Sequence, residues 1–332
     1  MKRKIDNTMG VSFQCLKYFS LAVMLLFAFS LPAFAVDGVI EINQAKAVAG
    51  SVTPGDSPGF PVTISASGSY RLTGNLTVSA TTADAIEIGA NDVTVDLNGF
   101  TISGPGNGTG RGIDFHTSAG VTVIDGDIQN MGSDGIGSDK SAWYSYAKNM
   151  HIKNIRALGN GGKGIQVGDT SMVSGSIVQG NADFGILAGD NCTVIGNIAK
   201  SNGKDGISVR TGCTVIHNTS SDNGGAGIVA SYGSTVTNNS AIRNTGWGIK
   251  ADASTVSENT ANDNGYDGIY SSGGMVTDNL VKGNTKHGLN LPANAGYAQN
   301  TVLDNTGGTV FGGIQMGTNV CGTYASASTT CP

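Results

Sequence analysis

The chain has 332 residues, 51 of them glycine, with 13% charged side chains and a formal net charge of −5. That balance argues against nucleic acid or an anionic membrane as a partner, because both select a basic face. Abundant glycine with little charge would suit a disordered chain, but regularly spaced Ile and Val supply a stripe that can be buried, and the chain is expected to fold.

In chain order, residues 1–35 read as a signal peptide. Lys2, Arg3, Lys4 and Lys17 are its basic part, Leu21 to Phe29 its apolar core, and Ala33-Phe34-Ala35 its cleavage site. Nine apolar residues are too few for a bilayer span of roughly 20. Cleavage would start the mature chain at Val36 and place it outside the cytoplasm, secreted or periplasmic, with no membrane span. No Cys follows the cleavage site, against a lipoprotein. The mature chain keeps 297 residues (332 − 35), 15 Lys+Arg (19 − 4) and 23 Asp+Glu (24 − 1), for a net charge of −8. It is long enough to bury a continuous core.

Residues 36–80 form a cap and lead-in segment. Glu41 to Ala49 is its one short helical stretch, expected to cover the open end of the core, and 53–61 is a turn-rich connection. Two irregular coils follow. Ile86, Ile88, Val93, Val95, Leu97, Phe100 and Ile102 serve the first; Ile113, Phe115, Val121, Val123 and Ile128 serve the second.

A repeat then takes over. Gly-Ile or Gly-Leu pairs begin at Gly112, Gly135, Gly164, Gly185, Gly206, Gly227, Gly248, Gly268 and Gly288, and from Gly164 onward the steps are 21, 21, 21, 21, 20 and 20 residues. So tight a period marks a solenoid. Inside each repeat, apolar and polar residues alternate over three or four positions, as in 206–209 (GISV), which reads as a strand. Val173, Val194, Val215, Val236, Val256 and Val276 anchor a second strand; pairs such as Ile198-Ala199 supply a third. Two Asn columns separate the strands. One runs Asn197, Asn218, Asn239, Asn259, Asn279, Asn300; the other runs Asn160, Asn181, Asn202, Asn223, Asn244, Asn264, Asn284, Asn305. Asn suits left-handed bends, and in register the amides can bond rung over rung. The expected fold is all-β: a right-handed parallel β-helix over 81–315, with 20–22 residues per coil, a short N-terminal capping helix and a tail at 316–332.

Four cysteines follow the signal segment. Cys321 and Cys331 suit a disulfide that pins the tail. Cys192 and Cys213 sit one repeat apart where other repeats carry Ser171, Ser234 and Ser254, and read as small-residue packing.

The chain resembles the secreted right-handed parallel β-helix proteins of bacteria, the pectate-lyase-like superfold, over about residues 80–315. A lead-in with Thr53-Pro54-Gly55-Asp56, Gly59-Phe60-Pro61-Val62-Thr63-Ile64 and Gly68-Ser69-Tyr70-Arg71-Leu72, then Val95-Asp96-Leu97-Asn98-Gly99-Phe100-Thr101-Ile102, is similar to a bacterial subgroup whose members mostly have no assigned function. The resemblance implies a long, sugar-sized groove but no single chemistry, since the superfold holds pectin lyases, polygalacturonases, alginate epimerases and adhesins. The Asp-Pro-His-Asp motif of alginate-type epimerases is absent; Asp114-Phe115-His116 is its nearest echo.

The candidate chemistry is sparse. Asp114 and His116 lie two apart beside the inward Ile113 and Phe115 and should share one outer side, with Arg111 just before them and Asp134 and Lys163 ahead of the next two glycines. As a cluster, Arg111, Asp114, His116 and Asp134 could bind or deprotonate a uronate, with Lys163 as a substrate contact; scattered, they are ordinary solvated charges. The coil between Gly135 and Gly164 carries extra residues, among them Trp143, Tyr144 and Tyr146, which could stack on sugar rings. Ahead of the later glycines stand Phe184, Asp205, Ala226, Trp247, Asp267 and His287, unlike residues on one surface column. No spacing of His, Cys and Asp reads as a metal site, and calcium is unsupported by any motif. The reading is a protein that binds polysaccharide or a cell-surface glycan along one solenoid face, with a carbohydrate-active enzyme (lyase, uronate epimerase or hydrolase) as the alternative.

Overall fold

A computed structural model of the chain describes residues 38–50, 52–138, 147–323, 326–328 and 331. The signal segment, Trp143, Tyr144 and Tyr146 therefore lie outside the described residues. The rest winds as the repeat predicts. Three parallel sheets form the walls, and each coil contributes one strand to each.

The first sheet stacks Ile165–Val167, Ile186–Ala188, Ile207–Val209, Ile228–Ala230 and Ile249–Ala251 in direct register, Ile on Ile. The second aligns Val173, Val194, Val215, Val236, Val256 and Val276. The third aligns Val178, Ala199, Ser220, Ala241, Ala261 and Val281. All these inward residues are fully buried. Each fully buried Ile or Val contributes about 1.5–3 kcal/mol, so one column repeated over many rungs holds the solenoid together.

The repeat glycine sits close against the third wall. A Cβ on Gly227 would lie 2.6 Å from Asn244 Nδ2, 2.7 Å from the Gly248 carbonyl and 2.9 Å from the Ala241 Cβ. The same collision recurs at Gly164, Gly185, Gly248 and Gly268. These glycines are kept by lack of space.

The asparagines do their work differently from the expected bends. The left-handed residue at each corner is the one before the Asn: His217, Asn238, Glu258, Asp278 and Gln299 on one column, Ser201, Asp222, Arg243, Asp263 and Asp304 on the other. Mixed residue types occupy that position, and the ladder asparagines themselves are absent from the left-handed set. Their amides point inward. Asn218 Oδ1 accepts from the Asn197 backbone and side-chain N–H groups at 2.9 and 3.0 Å, and Asn218 Nδ2 donates to Asn239 Oδ1 at 3.0 Å. The rung-over-rung bonding expected of the amides runs along both columns, from Asn160 to Asn305 and from Asn197 to Asn319. Each amide satisfies corner backbone that the sheets leave unpaired.

A third, shorter ladder includes both free thiols. The backbone N–H of Met150, Ser171, Cys192, Cys213 and Ser234 donates in turn to Ser171 Oγ, Cys192 Sγ, Cys213 Sγ, Ser234 Oγ and Ser254 Oγ. Cys192 and Cys213 thus pack as small residues and also accept hydrogen bonds. The hydrogen bond to Cys213, with burial, pushes the Cys192 thiol well above the ordinary thiol range, which leaves it protonated and unreactive.

Rung pairing extends into the lead-in segment, where Val62–Ile64 lies against Ile86–Ile88. Ahead of it, Val39–Ile42 pairs with Gly68–Leu72, so Glu41 and Ile42 are strand rather than helix. The helix is confined to Gln44–Ala49, capped by Asn43, whose side chain accepts from the Lys46 N–H. At the other end, Val320–Thr323 adds a parallel rung and Ser326–Ser328 turns back antiparallel. Cys321 and Cys331 are bonded across that reversal, with their Cα atoms 5.2 Å apart.

Candidate functional site

The outer face of the first sheet gathers the candidate residues. Glu87 and Asp114 are adjacent on neighbouring strands, and Gly137 follows Asp114 on the next. Asp114 and His116 do not sit as two alternate residues of one strand. The strand ends at Asp114, and His116 enters a left-handed turn (φ 44°), its N–H donating to Asp114 Oδ1 at 2.7 Å. That turn folds the imidazole back between two carboxylates, hydrogen-bonded to Glu87 and 3.6 Å from Asp114 Oδ2.

Arg111 completes the cluster. Its guanidinium lies 3.8 Å from Asp114 and 3.9 Å from Asp134, and Lys163 Nζ is 3.3 Å from the same Asp134 oxygen. Arg111, Asp114, His116, Asp134 and Lys163 are therefore brought together. The two acids are not solvated: Asp114 is 2% and Asp134 3% exposed. Yet the Arg111 contacts exceed hydrogen-bond length, and its buried Nε has no hydrogen-bond partner. On the following strand Gln166, 1% exposed, has neither amide atom hydrogen-bonded. Unused donors on buried side chains are costly.

One role of the acids is architectural and went unseen in the sequence. Asp84, Asp134, Asp205 and Asp267 each use Oδ1 to accept the backbone N–H one rung on, from Arg111, Lys163, Ala226 and His287, at 2.6–2.9 Å. The signal was present: all four directly precede the Gly position of their coil. Asp134 thus has only Oδ2 for other chemistry, shared between Arg111 and Lys163.

Burial holds the Asp84 and Asp205 carboxyls above the usual carboxylate range, against the pull of the backbone N–H each accepts. Folding then favours the protonated form. Their contribution is fullest below the unfolded pKa and is lost as pH rises through the raised folded value. Asp205→Asn keeps the acceptor and removes the ionisation. Its melting temperature is expected to exceed wild type at neutral pH, with the gap closing towards about pH 3, below the ordinary carboxylate range. Calorimetry across that range checks the sign; a gap that widens in acid refutes it.

Among the described residues, no group of three or more His, Cys, Asp or Glu is arranged to hold a metal ion, and no helix is long and apolar enough to cross a membrane.

A parallel coil with a buried aliphatic column, Asn ladders and an outer face bearing a compact charged cluster defines a right-handed β-helix protein. The chain belongs to the right-handed β-helix family, whose pattern matches residues 62–214 and 169–307. No curated protein sequence matches it. Among solved structures it is similar to the A-module of a mannuronan C-5 epimerase from Azotobacter vinelandii, at 15% identity, TM-score 0.52, covering 76% of this chain and 78% of that one. It is also similar to a double mutant of a periplasmic alginate epimerase, at 14% identity, TM-score 0.52, covering 78% and 74%. At such identity the likeness is one of fold.

Proposed function

We propose that this protein engages a polysaccharide along the outer face of the first sheet, with the Arg111 cluster as its anchor. The observation that carries the reading is the convergence of Arg111, Asp114, His116 and Asp134 around a guanidinium that donates no hydrogen bond among the described residues. Sugar hydroxyls both donate and accept. A face with carboxylate acceptors (Glu87, Asp114) beside Arg111, Lys163 and Gln166 donors meets both needs. With three carboxylates (Glu87, Asp114, Asp134) against two fixed cations (Arg111, Lys163), this end of the face suits hydroxyl recognition better than capture of an anion. Trp143, Tyr144 and Tyr146 belong to the proposal as stacking residues. A secreted or periplasmic location follows from the Ala33-Phe34-Ala35 processing site, and the periplasmic alginate epimerase among the fold's neighbours is compatible with it.

A second reading, a carbohydrate-active enzyme, is favoured by His116. Its Nε2 is hydrogen-bonded to Glu87 while its Nδ1 makes no hydrogen bond, which leaves one ring nitrogen for general base work. On a uronate it would take the proton next to the carboxylate, with Arg111 beside the charge that develops there.

A glycan-array screen of the full chain, run with an unsaturated-uronate absorbance assay, separates the two. Binding without absorbance, weakened about tenfold by Arg111→Ala, is the expected result, equivalent to one good charged hydrogen bond. Absorbance that disappears in His116→Ala would move the assignment to a lyase. Binding that Arg111→Ala leaves unchanged would remove the cluster from the site.

A further inference from the structure

Further along the same sheet face lies a second group of side chains that the Arg111 site does not use. Lys250 and Tyr270 are register partners on Ile249–Ala251 and Ile269–Ser271, and Asn290 follows on the next strand. Trp247 stands just ahead of its glycine, half-exposed, with its ring centre 4.9 Å from Tyr266 and 6.4 Å from Tyr270. Lys250 Nζ is 5.3 Å from the Trp247 ring centre and 6.0 Å from that of Tyr270; Lys286 Nζ is 5.7 Å from Tyr266. Neither lysine makes an ion pair among the described residues, although Lys250 lies close enough to Asp205 for their charges to interact.

The group is fixed from beneath. Asp267, 1% exposed, accepts from Trp247 Nε1 at 3.3 Å, Asn290 Nδ2 at 2.9 Å and the His287 N–H at 2.9 Å. A buried carboxylate held by these donors, with His287 Nδ1 also 3.3 Å from it, fixes the indole in one orientation.

We propose that Trp247, Tyr266, Tyr270, Lys250 and Lys286 form a second subsite, which takes an acidic sugar unit of the bound polysaccharide. The inference rests on the polysaccharide reading above and adds the substrate class: an anionic glycan. The apolar face of a sugar ring lies on an aromatic plane, and a carboxylate or sulfate at its rim meets an ammonium already held over that plane. Register places Trp247 six rungs beyond Arg111. At about 4.8 Å per rung the separation is about 29 Å, so a long chain reaches both sites and a short oligosaccharide only one.

The sequence holds two tryptophans, so Trp143→Phe leaves Trp247 as the only indole. In that variant a short oligouronate should change Trp247 fluorescence, and a neutral oligosaccharide of equal length should not. The apparent Kd for the oligouronate should weaken about tenfold in Lys250→Met and should rise with salt. Loss of Trp247 itself, in Trp247→Ala, should weaken long-chain acidic polysaccharide by a similar factor, with circular dichroism checking that the solenoid remains. If the oligouronate leaves the fluorescence unchanged while polysaccharide still binds through Arg111, the second subsite is wrong and the first reading stands. If Arg111→Ala leaves polysaccharide binding intact while the indole responds, the first reading is wrong and the second subsite stands. An equal response to the neutral sugar overturns the acidic preference.

Discussion

Gly227→Ala is expected to cost about 3 kcal/mol, the upper range for overpacking, measured as a fall in the denaturation midpoint. The backbone at Gly227 is not in the left-handed region; what forbids a methyl is the Gly248 carbonyl and the Asn244 amide already standing there. Inserting it must open the spacing between two rungs or expel the amide. Either breaks hydrogen bonds that continue along the axis. Gly233 is the control. It is left-handed at φ 69° with nothing within 4 Å of an added Cβ, so Gly233→Asn, whose side chain tolerates that conformation, should stay within about 0.5 kcal/mol of wild type. Equal losses at the two positions would mean that the close rung contact does not exist.

Asn218→Ala should have an effect of similar size, about 3 kcal/mol, through lost hydrogen bonds rather than crowding. The Asn218 side chain accepts from Asn197 N–H and Nδ2 and donates to the Val194 and Ile216 carbonyls and to Asn239. Truncation leaves the buried Asn197 N–H without its acceptor. Amide hydrogen exchange should accelerate first at Asn197 and in the two coils on either side, because a solenoid's coils depend on their immediate neighbours. Protection that stays uniform from one end to the other would show that the ladder contributes little. Asn238→Ala tests the distinction between the two kinds of Asn. Asn238 is left-handed and exposed, so its loss should cost about 1 kcal/mol, the strain of placing a methyl-bearing residue there.

Much of the fold could be read directly. A 20–21-residue period with alternating Ile and Val leaves few ways to bury the apolar side chains, and stacking identical coils is the one that uses every repeat alike. The Asn columns and the shared Cys/Ser position also follow from the period, because in-register stacking makes equivalent residues neighbours. The residues of the Arg111 cluster were nameable for the same reason: Arg111, Asp134 and Lys163 occupy one repeat position, and Asp114 and His116 stand just beyond the first of them.

Other features depended on where the backbone goes. His116 was expected to follow Asp114 along a strand; a left-handed turn carries it back between Glu87 and Asp114. Glu41 and Ile42 became strand because Arg71 and Leu72 were there to pair with. Trp247 looked like one of several unlike residues in a variable column, and Tyr270 and Lys250 carried no signal, since their common ground is lateral packing across rungs and a buried Asp267 beneath them. By itself, the order of residues determined the coil, its period and which side chains enter the core, since those follow from burying a periodic apolar pattern. Only the tertiary structure decided why the glycine is indispensable, which residue bends left-handed at each corner, and which surface charges meet, because each depends on distances between coils that no single repeat contains.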